Sequence, residues 1–201
     1  MHGRSLLFCS MLLAALFLAS PADVSAQKKG LKGASSLVAR GKYLVTFGSC
    51  NDCHSPKIFT PMGPIIDTTR VLSGHPADQK LPVIPKGVIA PDQWGALASN
   101  DLTAWAGPWG VSYTANLTPD KATGLGSWTV DMFIKALRTG KHMGEGRGLL
   151  PPMPWMMINV GTDDDLKAVF AYLQSLPPIE NAVPDPISPT GESIPTPHQK
   201  Q

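Results

Sequence analysis

The stretch SCNDCH, residues 49–54, places two cysteines and a histidine within five positions. Three chemistries use such a cluster. Structural zinc needs four ligands, usually from two Cys/His pairs, and His75, His142 and His198 are single residues in unrelated loops. A redox dithiol needs a βαβ setting that lowers the pKa of its first cysteine, and the pattern predicts no convincing strand. Covalent haem needs what is present. Two thiols three residues apart can add to the two vinyl groups on one porphyrin edge, and the adjacent histidine then reaches the iron from one face. Cys50 and Cys53 are therefore the expected attachment points of one haem c, with His54 as the expected iron ligand.

The chain upstream agrees. Arg4, an almost wholly apolar run from Leu6 to Ala19 and the small-x-small site Val24-Ser25-Ala26 read as a secretory leader, residues 1–26, cleaved after Ala26. A retained anchor is the alternative, but the run is shorter than the roughly 20 residues a bilayer span needs. No later segment is apolar enough to span, so the expected mature protein is soluble and periplasmic. Cleavage removes Cys9, so the only mature cysteines are those of the Cys-x-x-Cys-His motif. It also removes Arg4 and Asp23 and leaves the formal charge at +2. That balance, without a Lys/Arg run, offers no footprint for nucleic acid. The 175 residues from Gln27 onward suit one domain with its own core.

Three helices are predicted. The first starts at a Ser35 or Ser36 cap, carries Leu37, Val38, Leu44, Val45 and Phe47, and closes at Gly48. The second runs from Thr129, as N-cap, to Thr139, with Phe133, Ile134 and Leu137 on one face and Gly140 as stop. For the third, Thr162 and Asp165 form a start resembling a capping box. Leu166, Val169, Phe170, Leu173 and Leu176 then follow the helical repeat until Pro177 and Pro178 end it. Residues 55–113, rich in Pro and Gly, are expected to form a long ordered loop with a short helix near Gln93–Ala98. The tail has seven prolines in the 25 residues from Pro177. It is expected to be extended, mobile or draped over the surface, and dispensable after Pro178. These elements make a small all-α domain over residues 27–178, followed by a proline-rich tail at 179–201.

Four blocks, RGKYLVTFGSCNDCH (40–54), TANLTPDKATGLGSW (114–128), LLPPMPW (149–155) and TDDDLKAVFAYLQSLPP (162–178), resemble the class I c-type cytochromes. They are most similar to the cytochrome c domains of exported or membrane-bound bacterial dehydrogenases. The loop at 55–113 is longer than in the smallest members, and many relatives carry two or three CxxCH motifs where this chain has one. The resemblance implies a fold in which the N-terminal helix crosses the C-terminal helix beside the haem. It also implies that Gly41 lets Tyr172 pack close against the first helix, since glycine inside a helix costs roughly 1 kcal/mol and calls for a packing reason.

The sixth iron ligand of an electron carrier is expected to be a thioether, which raises the reduction potential by favouring Fe(II). Met132 and Met157 read as core filler, and Met62 only follows the haem motif. Met153 lies between Pro152 and Pro154, where a stiff loop would present its sulfur with little entropy to lose. The resemblance also points to Met153, with Met156, Met143 and the histidine rival His142 behind it. For the other nitrogen of His54 the resemblance suggests the Pro64 carbonyl as acceptor. Asn116 and Thr118 resemble residues near a haem propionate, or make an ordinary turn. Trp155 and the loop tryptophans either shield the haem edge or are simply buried. The leading functional expectation is a one-electron carrier between a dehydrogenase upstream and an oxidase or cytochrome downstream, either free or within a membrane-associated complex. The alternative is a haem enzyme or sensor with an open sixth position, for which His75 or His142 would supply the distal polar group.

Overall fold

The computed structural model describes residues 21–196, with side chains from residue 33 onward. The expected leader lies mostly outside these residues, as do His198 and the last residues of the tail. The chain divides after Ala34, and the packing described below belongs to the unit that begins at Ser35.

Helix α1, Pro21–Phe47, starts well before the expected serine caps. Ser35 and Ser36 lie inside it, with backbone helix continuing through the Lys/Gly stretch. Its C-terminal end matches the expectation: Gly48 N–H reaches the Leu44 carbonyl, and Ser49 takes a left-handed φ of 55°. That turn starts the one-and-a-half-turn helix α2, Cys50–His54. Helix α3, Val130–Thr139, is capped by Thr129 Oγ1, which accepts from Met132 N–H, and stops at Gly140 in the left-handed conformation. A single 3₁₀ turn, His142–Gly144, and the short α4, Trp155–Ile158, follow. The last helix, α5, Asp163–Gln174, opens on Thr162, whose side chain accepts from Asp165 N–H. Three aspartates in its first turn complement the helix dipole.

The apolar faces of these helices meet in one core of Val45, Leu72, Leu125, Phe133, Leu137, Leu166 and Leu173. The Phe133 and Phe170 rings join α3 to α5 with centroids 5.3 Å apart. Helices α1 and α5 touch at Gly41. A Cβ there would lie 1.9 Å from the Ala168 carbonyl oxygen and 2.7 Å from Tyr172 Cβ, so only glycine fits. Arg40 closes the same crossing by donating from Nε and Nη2 to Asp165 Oδ1. Arg138, at the end of α3, donates to the carbonyls of Asn159 and Gly161 and to Asp163, fixing the entry to α5.

The region 55–113 departs from the all-α expectation. It holds two small antiparallel sheets and no helix at Gln93–Ala98. Strands β1, Lys57–Thr60, and β2, Gly63–Ile66, form a hairpin. Strands β3, Leu97–Ala98, β4, Ala104–Gly107, and β5, Gly110–Tyr113, form a three-stranded sheet in the order β3-β4-β5. Each strand has at most four residues, too few for an alternating pattern to stand out, and β4 alternates only alanine with Trp105 and Gly107. The stretch expected to be helical ends instead in β3, paired with β4 at Leu97↔Ala106.

The tail is extended as expected, but it is held to the fold. Ile187 exchanges both backbone hydrogen bonds with Val111 of β5, at 2.8 and 2.9 Å. Asn181 donates from Nδ2 to the carbonyls of Ser73 and His75, while its Oδ1 accepts from Ala77 N–H. Pro186 is buried. These contacts revise the expectation that everything after Pro178 is dispensable.

Candidate cofactor site

Helix α2 brings Cys50, Cys53 and His54 together on one turn next to the core, with Cys50 packed against the core cluster. Both thiols are free. Burial pushes the Cys50 and Cys53 pKa values up, outweighing for Cys53 the opposing effect of Lys57. A dithiol redox centre needs the reverse, a stabilised thiolate. Among the described residues no group of three or more His, Cys, Asp or Glu could hold a bare metal ion.

His54 is buried, and Nδ1 lies 2.8 Å from the Ala115 carbonyl oxygen. A carbonyl only accepts, so Nδ1 carries the proton and Nε2 keeps its lone pair. Burial lowers the His54 pKa more than this hydrogen bond raises it, which favours the neutral ring. A neutral imidazole oriented through Nδ1 by a backbone carbonyl is the form in which histidine ligates a metal. The acceptor is Ala115, not Pro64. Pro64 lies in β2, opposite Phe59.

Two strands of chain hold this arrangement. Gly74 N–H donates to the His54 carbonyl at 2.8 Å, and His75 N–H donates to Thr114 O at 2.9 Å. The strap 72–75 therefore ties α2 to the segment that carries Ala115. A Cβ at Gly74, where φ is +79°, would lie 2.5 Å from Thr114 O. The buried Ser55 hydroxyl donates to Asn51 and accepts from Leu72 N–H. Lys57 Nζ donates to the carbonyls of Asp52, Ser55 and Asp101 and closes the C-terminal end of α2.

The methionines separate by environment. Met153 packs partly buried against the core, while Met156 and Met157 are 66% and 70% exposed and Met62 is 95% exposed. Met132 is used in its own helix, its Sδ accepting from Thr129 N–H. Met143 sits on the 3₁₀ turn at a left-handed φ of 54°, and its neighbour His142 packs edge-on against Trp128. His75 is fully buried against Tyr113, with Nδ1 bonded to Thr103 Oγ1.

Asn116 and Thr118 are buried and spend their polar atoms within the protein. Asn116 Nδ2 donates to Thr123 Oγ1 and to the Ile179 carbonyl, its Oδ1 accepts from Thr118 N–H and hydroxyl, and Thr118 Oγ1 accepts from Ile179 N–H. They clasp the start of the tail. Trp155 is half-buried, its ring over Gly140, where a Cβ would come within 2.4 Å of it. Trp94 is exposed. Trp105 and Trp109 donate their indole N–H groups to Leu102 O and Ser112 Oγ. Ala115, Ser112 and Asn181 carry no signal in the sequence: one acts through its backbone, and the other two are ordinary polar residues whose side chains reach Pro151 and His75, 39 and 106 positions away.

No family model matches the chain. It is 32% identical over 151 residues to the gluconate 2-dehydrogenase cytochrome c subunit of Pantoea cypripedii, a match covering 75% of this chain and 26% of that relative. The cytochrome c subunit of the quinone alcohol dehydrogenase of Gluconacetobacter polyoxogenes is 30% identical over 170 residues, 82% of this chain and 29% of the relative. The fructose dehydrogenase cytochrome subunit of Gluconobacter japonicus is 40% identical over 72 residues, 36% of this chain and 15% of the relative. The chain thus spans less than a third of the length of each. By sequence it resembles the cytochrome c subunits of bacterial dehydrogenases.

Proposed function

We propose that the protein is an exported, periplasmic monohaem cytochrome c that carries single electrons from a dehydrogenase toward the respiratory chain. The observation that carries this reading is His54: a buried, neutral imidazole beside two free thiols on one helical turn, with Nδ1 held by the Ala115 carbonyl and Nε2 left to bind iron. The residues fit the group. Cys50 and Cys53 would form the two thioether links, His54 would be the proximal ligand, and Met153 the distal one.

When bound, the haem supplies a one-electron Fe(III)/Fe(II) couple, with no substrate bond made or broken. The chain's own work is to hold both ligands still and keep water away. Gly74 and Ala115 fix the imidazole, the packed core covers Cys50, and Met153 is held on a loop in which three of four residues are prolines. A thioether favours Fe(II) and raises the potential. The cytochrome subunit names of the relatives support electron transfer over substrate catalysis. They also support a dehydrogenase as the partner; among the described residues no helix is long and apolar enough to cross a membrane.

The test is the mass of the purified mature protein. It should equal the chain from Gln27 plus one haem, with the haem retained after acid-acetone extraction. A mass equal to the bare chain refutes the reading. The reduced protein should not bind carbon monoxide readily; rapid binding would favour an open-site haem enzyme or sensor.

A further inference from the structure

We infer that Ser112, on the three-stranded sheet inserted before the third helix, is a positioning residue for the Met153 loop. The inference rests on Met153 being the distal ligand and gives the inserted region a role at that site.

Ser112 is 7% exposed, and its Oγ lies 2.6 Å from the Pro151 carbonyl oxygen. The direction of the bond is unambiguous. Trp109 Nε1–H, 3.2 Å away, can only donate and the carbonyl can only accept, so the hydroxyl proton points at Pro151. Ser112 itself has little freedom. It pairs with Trp105 across β4–β5, and its neighbour Val111 exchanges two backbone bonds with Ile187 of the tail. The Trp109 ring lies over Gly107, where a Cβ would meet it at 2.3 Å.

The loop has few backbone hydrogen bonds of its own. Pro151, Pro152 and Pro154 have no N–H, so the segment's own backbone bonds are Met153 N–H to Leu150 O at 3.2 Å and Trp155 N–H to Met153 O at 2.9 Å. Ser112 gives the Pro151 carbonyl a direct hydrogen bond from the folded sheet, although Pro151 itself is exposed. The loop is thus held on both sides of Met153, by Ser112 two residues before it and by the Trp155 ring on Gly140 two residues after it. One hydroxyl from a distant sheet helps to keep the thioether in place.

The experiment titrates the oxidised holoprotein with imidazole, which occupies the iron only when the methionine lets go. Ser112→Ala should bind imidazole about fivefold more tightly than wild type, the size of effect one hydrogen bond supports. Ser112→Thr, which keeps the hydroxyl, should restore wild-type affinity. Ser99→Ala removes a hydroxyl of the β3–β4 connection that does not reach the loop, and should leave the affinity unchanged, which separates positioning from general loosening. If Ser112→Ala does not accumulate, Trp109→Phe, which removes the indole donor to Ser112 and part of the ring over Gly107, should give about a twofold rise in the same direction. Unchanged affinity in Ser112→Ala or, failing that, Trp109→Phe, or failure of Ser112→Thr to restore it, overturns the proposal while Met153 stands. If Met153→Ala binds imidazole no more tightly than wild type, the ligand assignment falls and the proposal falls with it.

Discussion

The turn that carries His54 and the loop that carries Met153, the two proposed ligand sites, have opposite construction. The first is local: α1 ends, Ser49 reverses the chain, and within five residues α2 sets two thiols and an imidazole on one turn. The second has almost no regular structure of its own and borrows its shape from Ser112, Gly140 and the core. A site built by local chain geometry is damaged only by changing its own residues or the helix crossing beneath it. A site built by distant contacts can be loosened from many places.

Changes in the local half should have the largest effects. Replacing Cys50 or Cys53 by Ala should weaken or abolish stable haem attachment, read as loss of the haem mass from the denatured chain. Gly41→Ala would drive a Cβ into the Ala168 carbonyl, a contact of 1.9 Å with backbone that cannot move aside cheaply. It should cost about 3 kcal/mol in denaturant unfolding, and a cost near zero would mean that α1 and α5 do not cross as described.

The loop half should respond more gently. Met153→Ala should remove the weak far-red thioether-to-iron charge-transfer band of the oxidised protein and lower the potential, by on the order of 100 mV within the range that axial ligation spans. Met156→Ala and Met143→Ala should keep the band. If one of those loses it and Met153→Ala does not, the distal ligand lies elsewhere on the same side. Asn181→Ala tests the tail: three hydrogen bonds to the strap 73–77 are lost. The cost should be about 2 kcal/mol of stability with the absorption spectrum unchanged, and truncation after Pro178 should cost more.

The smallest effect is electrostatic. Hydrogen bonds from Thr69 and Arg70 hold the Asp67 carboxyl at about 2, below its usual 3.8. A depressed carboxylate pKa means stability that is present above pH 4 and is lost as pH falls from about 4 to 2. Asp67→Asn should therefore flatten the stability curve in that window and leave both ligand sites untouched.

The helices α3 and α5 were legible because each combines a cap, an apolar repeat and a stop, all of which act within about a dozen residues. The Cys50–His54 turn was legible because its residues are adjacent, and Gly41 because a glycine inside a helix calls for a packing reason, for which the family resemblance pointed to Tyr172. The two sheets were not. Strands of two to four residues are too short for an alternating pattern to show, and the tail bridge of Val111 with Ile187, outside both sheets, joins positions far apart. The early start of α1 was hidden by glycine and lysine residues that give no apolar period, and the role of the tail by prolines that suggested an unattached end.

The chain alone therefore carried the expectation of the cofactor chemistry and its ligands, and it determined most of the helical frame, because those depend on residue type and short-range spacing. Tertiary structure alone decided that Ala115 orients His54, that Asn116, Thr118 and Asn181 clasp the tail, and that Ser112 reaches Pro151. The physical reason is that hydrogen bonds form between whichever donors and acceptors folding buries side by side. A buried carbonyl takes the nearest donor, whatever its distance along the chain.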